Sequence, residues 1–379
     1  MQYNVTRRDR GPLQEGDGSG EHSTLQAMSE DVPGIDFERL LPWFREHVAS
    51  VDGLQALVIG HGRSNLTYRL EADGQQWVLR RPPLSHRQPT AHDMQREFRV
   101  ISALAGTAVP VPRTFAFCDD PAVLDVPFYI MEYVDGLVPV SADEVAKRFD
   151  DGQRRRIGEE LVDTLVALHA LDPAKVGLGD FGKPQGYSER QVRRFSEQLA
   201  RVKTRELPEL EEIGRRLAAA IPAGGETAIV HGDYRLDNAI LNGQGHLAAV
   251  LDWEMSTLGD PLADMGLMRM YWPDRGDEGG ISPMVGSGKV ITLPGFPTWD
   301  EAVARYEERS GRQMANLDFF AVLAHFKLAV ILENMHARFL AGGTVGEGFE
   351  IIGQQVLVLA RNGLAIADGS TTAALRGQG

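Results

Sequence analysis

Cysteine is nearly absent from this chain. Cys118 is the only one in 379 residues, which excludes an internal disulfide and a zinc site built from cysteines. Long hydrophobic runs are missing too. No stretch reaches the roughly 18–20 apolar residues that a membrane-spanning helix needs, so no membrane partner is expected. Basic clusters are also lacking: 39 Lys and Arg stand against 53 Asp and Glu, a formal net charge of −14. That balance argues against nucleic acid or an anionic membrane surface as a partner, and it tolerates a cationic one. The pair Arg7–Arg8 has no apolar segment behind it. The start therefore does not read as an export signal, and a cytoplasmic protein is expected. No internal repeat is present.

What remains is the composition of a folded protein, 43% hydrophobic and 24% charged, with length for one large or two ordinary domains. Residues 1–34, with much Gly, Asp, Glu and Ser, read as a mobile leader, and residues 366–379 as a frayed tail. Between them the hydrophobic period changes. "FERLLPWFREHV" has helical spacing, whereas "LQALVIG", "NLTYRLEA" and "QQWVLR" read as strands. A helix over "AHDMQREFRVISALAG" follows, with Met94, Phe98, Ile101 and Leu104 on one face, and then two more strands, "RTFAFC" and "FYIMEYV". Residues 35–135 thus read as a mostly antiparallel sheet with one packed helix. Gly136 and Pro139 break that pattern, and residues 136–365 are mainly helical. Ser188 is the candidate cap of "SERQVRRFSEQLARVKTR" and Thr298 that of "WDEAVARYEERSG". The fold class is α+β.

Chemistry concentrates in "IVHGDYRLDNAIL", from Ile229 to Leu241, and in "AVLDWE", from Ala249 to Glu254. Asp233 and Asn238 lie five apart, and Asp252 closes the next apolar run. Two carboxylates and an amide oxygen suit a hard cation such as Mg²⁺, which takes oxygen ligands and commonly bridges to phosphate. Phosphoryl transfer needs these parts together with a group that orients the acceptor hydroxyl. A lone aspartate in such a place would be a turn or cap residue. The combination is less ordinary: His-Gly-Asp with Asn at this spacing arises by chance in roughly one chain in a thousand of this size.

"HGDYRLDN" followed by "LDWE" resembles the signature of the aminoglycoside phosphotransferase family, the small-molecule branch of the protein-kinase-like fold. The likeness runs from about Leu40 to Ala360, and "SNLTYRL", "WVLRRPP", "GDPLADMG" and "LPGFP" resemble the branch also found fused to acyl-CoA dehydrogenases. The resemblance implies a bilobal kinase-like fold, ATP and Mg²⁺ as cofactors, and a small-molecule hydroxyl acceptor. It implies that Asp233 is the catalytic base, that Asn238 and Asp252 hold the metal, and that Asp264 braces the catalytic loop, with His231 structural. Asp260 reads as a turn residue, and His169 as structural. In the N-terminal half, Gly60 and Gly62 would let backbone N–H groups approach phosphates, with Ser64 and Asn65 donating from side chains. A plain β-turn explains the same glycines. Arg80 stands where such kinases carry lysine, and Glu97 matches its carboxylate partner, with Arg81 on the opposite strand face. The extended backbone at Glu132 to Val134 would meet an adenine edge, with Met131 beside it.

The acceptor is expected beneath the Gly/Pro-rich segment from Asp274 to Pro297, read as a lid that closes on bound substrate. On the helix that carries them, Lys327, His336 and Arg338 could meet an anionic acceptor such as a hydroxy acid or its CoA ester; they could equally be the polar face of a core helix. Two alternatives stay open. One is an aminoglycoside acceptor, whose polycation would want a dense acidic pocket. The other is a nucleotide-binding pseudokinase with a sensing or scaffolding role, for which Arg80 is the best support. A metal-dependent hydrolase lacks the histidine clusters or paired acids it would need. The oligomeric state is not legible.

Overall fold

The computed structural model describes residues 32–60, 65–84, 94–273, 288–342 and 351–377. The chain divides into two compact units, one containing Val111–Asp135 and the residues up to and including Ala105, the other containing Gly106–Pro110 and Gly136 onward.

The N-terminal unit is built on a five-stranded antiparallel sheet in the order β1-β2-β3-β5-β4. Helix α1 (Phe37–His47) starts at Asp36, whose carboxylate accepts from the Arg39 N–H at 3.2 Å. It buries Leu40 and Phe44 against Tyr68, Leu70, Trp77 and Leu79. Strands β1 (Gln55–Gly60), β2 (Leu66–Ala72) and β3 (Gln75–Arg81) follow. The β2–β3 turn is Asp73-Gly74 with φ of 50° and 73°. Both values are positive, the requirement of a tight turn whose twist matches the strands. Helix α2 (Met94–Leu104), β4 (Thr114–Cys118), the short α3 (Pro121–Leu124) and β5 (Phe128–Glu132) complete the unit. On α2 the buried residues are Met94, Glu97, Val100, Ile101 and Leu104. Phe98, expected on that face, is only partly buried, and Glu97 goes inside because an arginine meets it there. Residues 32–34 pack on this unit: the Tyr68 hydroxyl donates to the Pro33 carbonyl at 2.5 Å.

The C-terminal unit opens with α4 (Ala142–Arg148) and α5 (Asp151–Ala170). Asp150 and Gln153 form a reciprocal capping box at the start of α5, satisfying two N–H groups that no helical carbonyl reaches. Next come α6 (Tyr187–Val202) and α7 (Pro208–Ala219). Ser188 is not the cap of α6: the helix begins one residue before it, and the N-cap is Gly186 at φ 64° without a side-chain bond. Short strands β6 (Ala228–Val230), β7 (Ala239–Leu241), β8 (Leu247–Val250) and β9 (Thr257–Gly259) then pair as β6–β9 and β7–β8. The remaining helices are α8 (Leu262–Met270), α9 (Gly288–Ile291), α10 (Trp299–Ser310), α11 (Leu317–Leu340) and α12 (Ile352–Gly369). Thr298 does cap α10, in a second capping box with Glu301. Helix α11 is apolar on nearly every side and is buried without a break from Phe319 to Phe326, as a helix at the centre of a bundle must be.

The end of the chain is a correction. Helix α12 runs on to Gly369, Leu375 is wholly buried, and Arg376 donates to the Ser370 carbonyl at 2.6 Å. An apolar leucine and a paired arginine hold residues that composition alone reads as frayed.

Candidate active site

The site is assembled by the loop between β6 and β7. Strand β6 delivers His231 into the interior, where it is fully buried. The His231 Nε2–H donates to the Leu251 carbonyl at 2.9 Å, and its Nδ1 accepts from the Asp233 N–H at 3.2 Å. One tautomer serves both bonds, and the ring braces the loop. Gly232 follows at φ 84°, and a Cβ there would stand 2.5 Å from the Met255 carbonyl oxygen. Only glycine fits that approach.

Asp264, in the first turn of α8, fixes the same loop from below. Its carboxylate accepts from the N–H of His231 at 2.7 Å and of Gly232 at 2.8 Å, and from His169 Nε2 at 3.2 Å. His169 in turn receives the Tyr306 hydroxyl at Nδ1, 2.7 Å away. Burial pushes the Asp264 carboxyl up, but His169 and the loop amides outweigh it and hold the group below the usual carboxylate range. Burial pushes the imidazole of His169 down, so it stays neutral and donates. Asp264 thus bonds two loop amides and the His169 ring, as expected of a brace. Asp260 is the turn residue it was read to be: its Oδ1 accepts from the Leu262 N–H at 3.0 Å, and burial raises its pKa to about 6.

Asp233 is 27% exposed at its side chain. Its Oδ2 accepts from Asn238 Nδ2 at 3.0 Å and from Arg235 Nε at 3.3 Å. Among the described residues no hydrogen bond reaches Oδ1. Asn238 sits in a tight turn (Leu236–Asn238), and its Nδ2 also donates to the Asp233 carbonyl at 2.8 Å. The amide nitrogen is thus committed to Asp233, and the amide oxygen is the atom of this side chain that could serve a cation. The Asn238 carbonyl accepts from the Leu251 N–H at 2.7 Å, which sets Asp252 beside it. Asp252 adopts φ 65° and ψ 60°, a left-handed conformation that costs a non-glycine residue on the order of 1 kcal/mol. Such strain is kept where a side chain must be aimed. One amide oxygen and one carboxylate fit a hard cation whose other ligands are phosphate and water. Among the described residues no group of three or more His, Cys, Asp or Glu could hold a metal by itself.

Two features escape motif reading. Arg235 bridges Asp233 to Asp237, with Nη1 2.6 Å from the Asp237 carboxylate, and its guanidinium lies 4.9 Å above the Tyr271 ring. Lys327 reaches from α11 to the catalytic loop, its Nζ 3.3 Å from the Gly232 carbonyl. Neither contact leaves a local signal, although the charges of "DYRLD" hint at the first. His336 and Arg338 do not join Lys327: nine and eleven residues further on, they lie about 13 and 16 Å along the helix axis. His336 instead packs against Gly353, and Arg338 is exposed. Glu333 is structural, accepting from the Thr204 N–H at 2.9 Å and hydroxyl at 2.7 Å.

In the N-terminal unit, Arg80 Nε lies 3.0 Å from Glu97 Oε2, with the two side chains 13% and 1% exposed. This is a buried pair, not a surface salt bridge. Arg81 points away from it and donates to the Gly34 carbonyl. Gly60 ends β1; Gly62 and Ser64 lie outside the described residues. Asn65 is buried. Glu132 uses its N–H on the Arg113 carbonyl at 2.7 Å and its carboxylate on the Arg113 N–H at 3.0 Å, while Val134 is partly exposed. Of the expected lid, residues 274–287 lie outside the described residues, and the rest holds α9.

Comparison with known proteins decides the family. The model of the phosphotransferase enzyme family matches residues 55–333. The chain belongs to that family. It is 33% identical over 341 residues to acyl-CoA dehydrogenase family member 11 of Gallus gallus, covering 87% of this chain and 42% of that one. The chain thus spans less than half the length of this curated relative. The crystal structure of a putative aminoglycoside phosphotransferase from Ralstonia eutropha superposes with a TM-score of 0.74 at 34% identity, covering 87% of this chain and 98% of that one. A more distant aminoglycoside phosphotransferase, solved bound to ADP, shares the fold at a TM-score of 0.53 and 15% identity, over 86% of this chain and 97% of that one. This member of the phosphotransferase enzyme family therefore has the α+β, protein-kinase-like fold that its motifs imply. No helix among its described residues is long and apolar enough to cross a membrane.

Proposed function

We propose that this family member is a small-molecule kinase that moves the γ-phosphoryl group of ATP to a hydroxyl, with a hydroxy acid or hydroxyacyl-CoA ester as acceptor. The observation that carries the reading is Asp233: a carboxylate anchored at Oδ2, unbonded at Oδ1 among the described residues, and partly open to solvent. A hydroxyl donating to Oδ1 would be held with its oxygen free to attack. The bond from the γ-phosphorus to the bridging oxygen breaks, and ADP leaves with that electron pair. A bond from the acceptor oxygen to phosphorus forms, and the hydroxyl proton passes to Asp233. Asn238 and Asp252 would hold Mg²⁺, which supplies charge neutralisation at the phosphates. In the N-terminal unit, Arg80, paired with Glu97, would offer a cation to phosphate, and the backbone near Val134 would receive an adenine edge. The ADP-bound relative of the same fold supports an adenine nucleotide as donor.

The test incubates the protein with Mg·ATP and pooled hydroxylated metabolites, including hydroxyacyl-CoA esters, and follows mass gains of one phosphoryl group. A gain with wild type and none with Asp233→Asn is expected. The Asp233→Asn variant should keep Mg·ATP binding, because the amide preserves shape, whereas Asp252→Ala should weaken it at least tenfold. Equal nucleotide binding by both variants would overturn this division of labour.

A further inference from the structure

Helix α11 is apolar along most of its length, and its neighbours His325, Phe326, Ala329 and Val330 are buried. A half-buried ammonium in that setting is costly unless it is used. Lys327 has three N–H donors, and among the described residues its one hydrogen bond goes to the Gly232 carbonyl at 3.3 Å. No ion pair joins it to a carboxylate among those residues. Asp264 is saturated by two backbone amides and His169, and Asp233 is engaged at Oδ2 by Arg235 and Asn238. Arg194, exposed on the adjacent α6, adds a second positive charge that Lys327 feels. Burial lowers the Lys327 pKa, opposed by Asp233 and Asp264.

We infer that Lys327 is a specificity-determining residue, whose ammonium receives the anionic or carbonyl oxygen of the acceptor while Asp233 holds the acceptor hydroxyl. The inference rests on the phosphotransferase reading and adds to it the residue that selects the acceptor. Gly232 and Asp233 are consecutive, about 3.8 Å apart at Cα, so a cation at one and a base at the other flank a short span. The acceptor that fits carries its hydroxyl a few bonds from a carboxylate or thioester carbonyl. An aminoglycoside, with ammonium groups beside its hydroxyls, would meet like charge at Lys327 and Arg194.

Binding to the full-length chain is measured by calorimetry with Mg²⁺ and a non-hydrolysable ATP analogue. The probes are short 2-, 3- and 4-hydroxycarboxylates, their CoA thioesters, and kanamycin. Hydroxycarboxylates or their thioesters should bind, and the stronger series identifies which oxygen Lys327 meets. Lys327→Met should weaken that binding about tenfold and raise KM with little change in kcat, and Lys327→Arg should restore most of it. Arg194→Gln, at an exposed position, should weaken it less and reads the same subsite should Lys327→Met fail to fold. Unchanged binding in Lys327→Met, no binding by any anionic probe, or binding by kanamycin alone would overturn the assignment. Acceptor binding without transfer would sink the kinase reading and leave this one. Transfer with an unaltered KM in Lys327→Met would do the reverse.

Discussion

Asp260 shows how one residue can be legible as a turn and yet hide its energetics. Its Oδ1 accepts the Leu262 N–H at 3.0 Å, the bond that "DP" before a helix leads one to expect. What the sequence does not show is that the carboxyl is only 9% exposed. Burial and, secondarily, the nearby Glu226 raise its pKa to about 6, with Arg312 opposing. An acid whose folded-state pKa is raised favours the protonated form in the fold. Its contribution is therefore most favourable below about pH 4 and is lost as pH rises to 6. Asp260→Asn keeps the oxygen that accepts from Leu262 and removes the charge. The variant should match wild type near pH 4 and exceed it at pH 7 by on the order of 2 kcal/mol. Thermal melts across that range check it, and parallel curves at all pH values would refute the buried charge. Arg80 teaches the complementary lesson. Its pairing with Glu97 is what the family resemblance implies, but the depth of the pair, with Glu97 at 1% exposure, depends on packing that no local pattern encodes.

At the scale of elements, the five strands of the N-terminal sheet and the long helices of the C-terminal unit were readable because hydrophobic period is a local property. The errors fall where a local rule competes with a tertiary contact. Ser188 has the right chemistry for a cap, but α6 starts at Tyr187, against which Gly259 packs so closely that a Cβ would stand 2.8 Å from its ring. The catalytic loop was readable as chemistry and not as mechanics. Its bracing joins His169 to Asp264, 95 residues apart, and Lys327 to Gly232, also 95 apart. Gly232 is the point at which these constraints meet. Gly232→Ala forces a Cβ to within 2.5 Å of the Met255 carbonyl oxygen at a φ of 84°. Backbone has to move, and Asp233 moves with it. The expected result is loss of about 100-fold or more in phosphoryl transfer, from a displacement of about 1 Å at the base, with a stability loss of only about 1–3 kcal/mol. Gly243→Ala is the control, since nothing lies within 4 Å of a Cβ there. Equal activities for the two variants would show that the loop tolerates displacement.

For the whole molecule, the nucleotide and the metal should act as folding ligands. Anything that binds only the folded chain stabilises it by RT ln(1 + [L]/Kd), about 2.7 kcal/mol at a hundredfold excess. In a protein of this size that corresponds to a rise of a few degrees in melting temperature. Mg²⁺ alone should do little, because the proposed ligands Asn238 and Asp252 are only two and no self-sufficient cluster exists among the described residues. ATP alone should do less than Mg·ATP, because four phosphate charges would meet Asp233, Asp237 and Asp252 without a cation between them. The two ligands are therefore expected to be synergistic: the shift with both should exceed the sum of the shifts with each. Chelation by EDTA should abolish the excess, and so should Asp252→Ala. Asp233→Asn should keep it, because that carboxylate is assigned to the acceptor and not to the metal. Additive shifts, or synergy that survives Asp252→Ala, would place the metal elsewhere and reopen the roles of all three residues.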